Sequence, residues 1–107
     1  MVPVTLPSGF RSDGCTIPAD FLRGIMGSDA YWIYCKEHDF LRRHEVVHWF
    51  RANLILAQRI ASKGFAGILR APFYLIFTTV SYPWYSRTVP LPSGWEPSAK
   101  VYQDAYN

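Results

Sequence analysis

Apolar and polar residues recur with a helical period along the middle of the chain. Two rows of positions, in residues 31–41 and 49–60, are spaced three or four apart, as on one face of an α-helix. The rows are Tyr31, Tyr34, Cys35, His38 and Leu41, and then Trp49, Asn53, Leu56, Ala57 and Ile60. Each row predicts a helix face that packs toward a core.

The two rows lie in a stretch, residues 28–63, that contains neither glycine nor proline. A single helix of that length is uncommon in a small domain, so we predict two helices with a turn near residues 43–46. Each row holds one polar side chain, His38 in the first and Asn53 in the second. A buried amide without a partner is costly, so we predict that these two side chains form a hydrogen bond across the helices.

The rest of the chain has weaker patterns. Residues 1–20 are rich in Gly, Pro, Ser and Thr and predict a loop with a short strand, and a short helix can start at Ala19. Residues 65–80 predict a further helix after Gly64. Prolines from Pro83 onward favour an extended segment. The fold prediction is therefore mainly α: a compact helical domain of about three helices over residues 1–85, with an extended arm over residues 86–107.

Composition narrows the class of protein. Half of the 107 residues are hydrophobic and the net charge is only +3, which excludes a disordered chain and does not call for a specific nucleic-acid partner. The N-terminus lacks the basic and apolar regions of a signal peptide. The most apolar stretch, residues 71–85, is shorter than the roughly 20 apolar residues of a membrane span. It predicts a buried or interfacial helix.

One motif in the centre of the chain is typical of zinc peptidases. His44-Glu45-Val46-Val47-His48 has the spacing that, on a helix, lets two imidazoles hold zinc while the glutamate activates water. Three arginines surround the motif, and His48 falls on the polar face of the second predicted helix. A solvated turn with surface histidines is the competing interpretation, and it predicts that alanine at either histidine changes stability little.

A second motif joins His38 and Asp39 to Cys35 on one side of the first predicted helix. Upstream, the segment GFRSDGCTIP carries Asp13, Gly14 and the second cysteine, Cys15. A Cys15–Cys35 disulfide would hold that loop beside His38 and contribute about 3 kcal/mol. Two reduced, buried cysteines are the alternative.

These residues resemble a phage and prophage family named domain of unknown function 1353. Its first block is matched by Asp13, Gly14, Thr16, Ile17 and Pro18, and its second by His38, Asp39 and Leu41, with Phe40 in place of a tyrosine. Its third block resembles FRANLIL, where Asn53 stands in place of the usual aspartate. The resemblance covers about residues 8–80 and implies a phage-encoded protein made in the host cytoplasm.

The same residues are more distantly similar to prokaryotic phospholipases of the A-two type. That similarity implies His38 as the general base for water, Asp39 as a calcium ligand, and Asp13, Gly14 and Cys15 as the calcium loop. Oxygen ligands suit calcium, and a neutral imidazole suits a base. Asn53 takes the place of the orienting carboxylate, and an amide cannot stabilise an imidazolium by charge. The similarity thus predicts weak or absent activity.

Three functions follow from these motifs. The first is a virion component of the tail or baseplate, in which His38, Asp39 and Asn53 are structural or vestigial. The second is a small calcium-dependent hydrolase that acts on envelope lipid, and the third is the zinc peptidase. Spaced aromatic residues in the predicted arm favour the first, since extended arms usually dock on neighbouring subunits. They are Trp95, Tyr102 and Tyr106.

Overall fold

The protein is a small, mainly helical domain, as the sequence predicts. The computed structural model describes residues 2–10, 31–85 and 88–106. Within these residues there are four α-helices and no strand. The helices are α1 (Trp32–Arg43), α2 (Trp49–Ala61), α3 (Phe65–Tyr85) and α4 (Glu96–Tyr106).

The predicted turn between the first two helices is confirmed. Helix α1 ends at Arg43 and α2 begins at Trp49. Between them, Glu45 has a φ of 48°, in the left-handed region, and the Val46 amide donates to the Leu41 carbonyl at 3.0 Å. This tight reversal brings the two apolar rows against each other.

Helix α3 packs on α2 along a line of small and aromatic residues. Gly67, Ala71 and Tyr74 are buried, at helical spacing, on the inner side of α3. A Cβ on Gly67 would lie 1.9 Å from the Ile60 carbonyl oxygen, so glycine permits this close approach of the two backbones. Among the described residues, no helix has both the length and the apolar character needed to cross a membrane.

The interior consists of two hydrophobic clusters. The first joins the N-terminal segment, α1, α2 and α4, and the second joins α1, α2 and α3. The first contains Phe10, Phe40, Leu41, Val46, Val47, Ala52, Ile55, Ala99 and Tyr102. The second contains Tyr31, Cys35, Leu56, Ile60, Ala71 and Tyr74.

The prediction of an extended arm is wrong for residues 96–106, which form α4. Ala99 and Tyr102 are 1% and 0% exposed and belong to the first core cluster. Proline misled the prediction because Pro97 lies in the first turn of α4, where the ring fits and an N–H is not needed. The C-terminal segment is therefore part of the domain core and does not supply the docking arm that the sequence suggested.

Candidate functional site

The predicted contact between the two polar residues is confirmed. His38 Nε2 lies 2.6 Å from Asn53 Oδ1. Asn53 is fully buried, and its Nδ2 donates to Thr79 Oγ1 at 3.4 Å. Since these residues lie on α1, α2 and α3, the hydrogen bonds connect three helices through one amide.

The amide orientation determines the tautomer of His38. Because Asn53 presents Oδ1 to the ring and Nδ2 to Thr79, the imidazole Nε2 must carry the proton and donate it. Nδ1 is then unprotonated. Burial lowers the pKa of His38 to about 4, and the Arg42 charge acts in the same direction, against the hydrogen bond that His38 donates to Asn53 and the charge of Asp39. At neutral pH the ring is uncharged and weakly basic.

Within the part of the chain that the structure describes, Asp39 forms an ion pair and is not part of a group that could hold a metal ion. Its carboxylate pairs with Arg43 one turn later, Nη2 to Oδ2 at 3.0 Å. The other residues that the phospholipase similarity assigns to calcium (Asp13, Gly14 and Cys15) lie outside the described residues. Cys35 is buried and disulfide-bonded, and its predicted partner is Cys15. Any calcium bound by Asp39 would have to compete with Arg43.

The zinc-peptidase spacing does not fall on one helix. His44 caps the C-terminal end of α1, while His48 is the N-cap of α2 and accepts a hydrogen bond from the Phe50 amide through Nδ1 at 3.2 Å. Glu45, between them, accepts a hydrogen bond from the Thr88 hydroxyl at 3.0 Å. The two imidazoles therefore lack the one-turn register of a helical zinc motif.

Of the two histidines predicted to be solvated, His44 is only partly exposed. Its ring packs against three aromatic rings, Phe10, Phe40 and Trp95, with centroids 5.6–6.3 Å away. Its Nδ1 lies 2.9 Å from the Val89 carbonyl oxygen. His44 therefore helps to join the α1–α2 turn to the segment that precedes α4, whereas His48 is exposed as predicted.

A buried ionic network was not anticipated from the sequence. Glu37, fully buried, accepts two hydrogen bonds from Arg59, at 2.9 and 2.8 Å, and one from the Tyr102 hydroxyl at 2.6 Å. Arg59 also donates to the Val2 carbonyl, and the Thr5 amide donates to the Tyr102 oxygen at 2.7 Å. The network ties α1, α2, α4 and the N-terminal segment together.

A signal for this network was present in the helical spacing. Glu37 is three residues after Tyr34 and four before Leu41, so it lies on the edge of the first apolar row. Arg59 lies three residues after Leu56 and directly before Ile60, at the edge of the second apolar row. A charged residue inside an apolar row indicates a buried partner of opposite charge.

The described residues contain no group of three His, Cys, Asp or Glu side chains able to hold a metal ion. Comparisons with protein-family models, with curated proteins and with solved structures found no match. The resemblance to the phage family and to the phospholipases thus remains a prediction from the motif residues. The structure shows two hydrogen bonds, from His38 to Asn53 and from Asn53 to Thr79, that connect three helices inside the domain.

Proposed function

We propose that this chain is a non-catalytic component of a phage particle, of its tail or baseplate, that works by binding to a larger structure. The observation that carries the proposal is the outer side of α3, where seven large apolar residues have exposed fractions between 36% and 76%. They are Phe65, Ile68, Leu69, Phe73, Ile76, Phe77 and Val80; we call them the α3 face. Apolar surface of this extent on a folded domain is typical of a binding site.

The histidine cluster supports a structural role. Asn53 is hydrogen-bonded to His38 on one side and to Thr79 on the other, so both ends of the buried amide have a partner and no ligand is needed to explain it. An amide in place of a carboxylate cannot stabilise a protonated imidazole by charge. The cluster thus helps to fix the position of α3 through Thr79, which is half-buried at the border of the α3 face.

The phage context rests on the motif resemblance and has a direct test. Particles purified from a host that carries the gene are analysed by quantitative mass spectrometry. We expect the chain at a fixed copy number per particle. Its absence from particles in which it was expressed would contradict the assignment to a virion.

One observation keeps a second candidate, the calcium-dependent hydrolase. The Asn53 amide leaves His38 Nδ1 unprotonated, which is the form that a general base requires. Release of fatty acid from phospholipid vesicles with calcium should then be measurable, and His38→Gln should abolish it. We expect no difference between the wild type and this variant, because His38 is a weak base and Asp39 is paired with Arg43.

A further inference from the structure

The α3 face is a continuous strip along the helix. Its members follow one another at spacings of one, three and four residues from Phe65 to Val80, a length of about 22 Å. Phe65 and Phe73 are 76% and 62% exposed. Together the seven side chains expose on the order of 800 Å² of apolar surface, above the roughly 300–600 Å² of the largest patch on a typical monomer.

The width of the face restricts what can cover it. Gly67, Ala71 and Tyr74 mark the buried side of α3. At 100° per residue, the seven exposed residues occupy about 180° of the helix on the other side. The apolar stripe of a helix that packs on one neighbour is narrower, near 100°. A single partner helix, including α3 of a second copy, would leave the edges of the face in water.

A planar apolar medium covers such a face completely. A helix that lies in the interface of a bilayer buries its apolar side by about 5–10 Å at the boundary between headgroups and acyl chains. That depth corresponds to half of a helix with its side chains. In α3 the residues opposite the face, Gly67, Ala71 and Tyr74, are already buried in the domain, so the domain itself takes the place of the polar face.

The charges that border the face are positive. Residues 65–85 contain no acidic residue, and their one charged side chain is Arg70. Arg70 Nη1 donates to the Tyr31 hydroxyl at 3.2 Å, and Lys63 Nζ lies 5.5 Å from the centroid of the Tyr34 ring. These contacts place two cations near the first turn of α1, where the Trp32 side chain is 49% exposed and lies under a third cation, Lys36, at 4.5 Å. Cations and aromatic rings are the groups that favour an anionic lipid surface.

The acidic side chains of the described residues are buried or bonded elsewhere. Glu37 lies in the core, Asp39 pairs with Arg43 and Glu45 bonds to Thr88. The remaining two belong to α4, which packs in the first core cluster, whereas α3 packs in the second. Among the described residues, the charged side chains placed next to the α3 face are therefore the cations Lys63 and Arg70, which are complementary to anionic headgroups.

We infer that the α3 face binds an anionic phospholipid membrane surface, with α3 lying in the plane of the interface and Lys63 and Arg70 near the headgroups. The inference rests on the proposed function, in which this face is the working surface, and it names the partner of the face. It differs from a membrane span because α3 keeps one side on α2.

The test is co-sedimentation of the oxidised 107-residue chain with large unilamellar vesicles. One set contains phosphatidylcholine alone, and the other contains phosphatidylcholine with roughly a third phosphatidylglycerol. We expect binding to the anionic set that weakens as salt rises, because the electrostatic contribution is screened. Lys63→Gln should weaken binding about fivefold, the effect of one cation near such a surface.

The apolar contribution is tested by Ile68→Gln combined with Phe73→Gln. Both positions are more than half exposed, so the variant should fold, which circular dichroism checks, and its binding to anionic vesicles should fall at least tenfold. The matched control is Val101→Gln, which changes an exposed apolar residue of α4 and should leave binding unchanged. If the double variant cannot be obtained folded, Phe65→Gln, at the start of α3, gives the same comparison.

Two results would overturn the inference: no binding to anionic vesicles, or binding that the α3 variant does not weaken. A stable dimer in solution that the α3 variant dissociates, without lipid binding, would also overturn it and assign the face to a second copy. The particle analysis separates these failures from failure of the proposed function. If the chain is incorporated into particles but does not bind vesicles, the lipid inference is wrong and the proposed function stands.

Discussion

The buried ion pair between Glu37 and Arg59 should be the largest polar contribution to stability in the described residues. The side chains are 0% and 10% exposed and share two hydrogen bonds, and Glu37 also accepts one from Tyr102. Glu37→Ala would leave a guanidinium and a hydroxyl without their acceptor in the interior. Removing one partner of a buried pair costs about 3–5 kcal/mol, a large fraction of the roughly 5–15 kcal/mol that holds a domain folded.

The same helix provides a matched control. Asp39 and Arg43 form an ion pair of similar length, 3.0 Å, but the Arg43 side chain is 41% exposed. Solvent screens such a pair, so Asp39→Ala should cost about 1 kcal/mol or less. Both variants place alanine in α1, and the gain in helix propensity is larger for Asp39→Ala by only a few tenths of a kcal/mol. The difference between them measures burial.

Urea denaturation followed by circular dichroism, under oxidising conditions that keep the Cys35 disulfide, measures both variants. With a slope of about 2 kcal/mol per molar urea, Glu37→Ala should lower the midpoint by roughly 2 M and Asp39→Ala by less than about 0.5 M. Equal losses for the two variants would refute the reasoning, since the network would then be no more important than a surface pair.

Three further predictions follow from single contacts. His38 has a pKa of about 4 in the folded protein and about 6.5 unfolded, so its contribution to the free energy of unfolding is complete above pH 6.5 and falls by roughly 3 kcal/mol as the pH drops to 4. Unfolding midpoints measured from pH 7 to 4 should show this loss, and His38→Gln should remove it. Gly67→Ala should lower the free energy of unfolding by about 1–3 kcal/mol, because its Cβ would clash with the Ile60 carbonyl oxygen. A variant that melts at the same temperature as the wild type would contradict the close packing of α2 and α3. His44→Ala should destabilise the domain by about 1–3 kcal/mol, because the ring contacts and the hydrogen bond to the Val89 carbonyl are lost. His48→Ala should cost only about 0.5–1 kcal/mol, for the lost N-cap of α2. Chemical denaturation that finds His48→Ala the less stable of the two would contradict this order.

The helices of the centre were predictable because their signals are local. Apolar spacing located α1 and α2, the long stretch without glycine implied a turn, and Gly64 marked the end of α2, where its φ is 106°. The polar residue within each apolar row was sufficient to pair His38 with Asn53. Periodicity states which side of a helix is buried, and a buried polar group needs a partner.

The parts that were missed depend on contacts far apart in sequence. Tyr102 reaches Glu37 across 65 positions, and no local pattern announces that pairing. Helix α4 was predicted to be extended because prolines were counted without regard to their position. Thr79, the third member of the His38 cluster, lies in a β-branched run whose orientation depends on how α3 packs on α2.

The exposure of α3 could not be read from hydrophobicity alone. Its sequence predicted a buried or interfacial helix, and both possibilities require an apolar surface. The structure separates the two sides: Gly67 and Ala71 turn inward, while Phe65, Phe73 and Val80 turn outward. What decides which side of α3 is buried is its packing on α2, and that contact is determined by tertiary structure.

The neutral amide of Asn53 suits the position of α3 better than a carboxylate would. A buried aspartate at this position would have to be desolvated as an anion and would need a cationic partner to offset that cost. An amide bonds to the neutral ring on one side and to the Thr79 hydroxyl on the other, and it carries no charge to desolvate. The pair therefore holds α3 at neutral pH through neutral hydrogen bonds at this position. Asn53 thus lacks the charge that would stabilise a protonated imidazole, and it helps to hold α3 in a position that leaves the α3 face exposed.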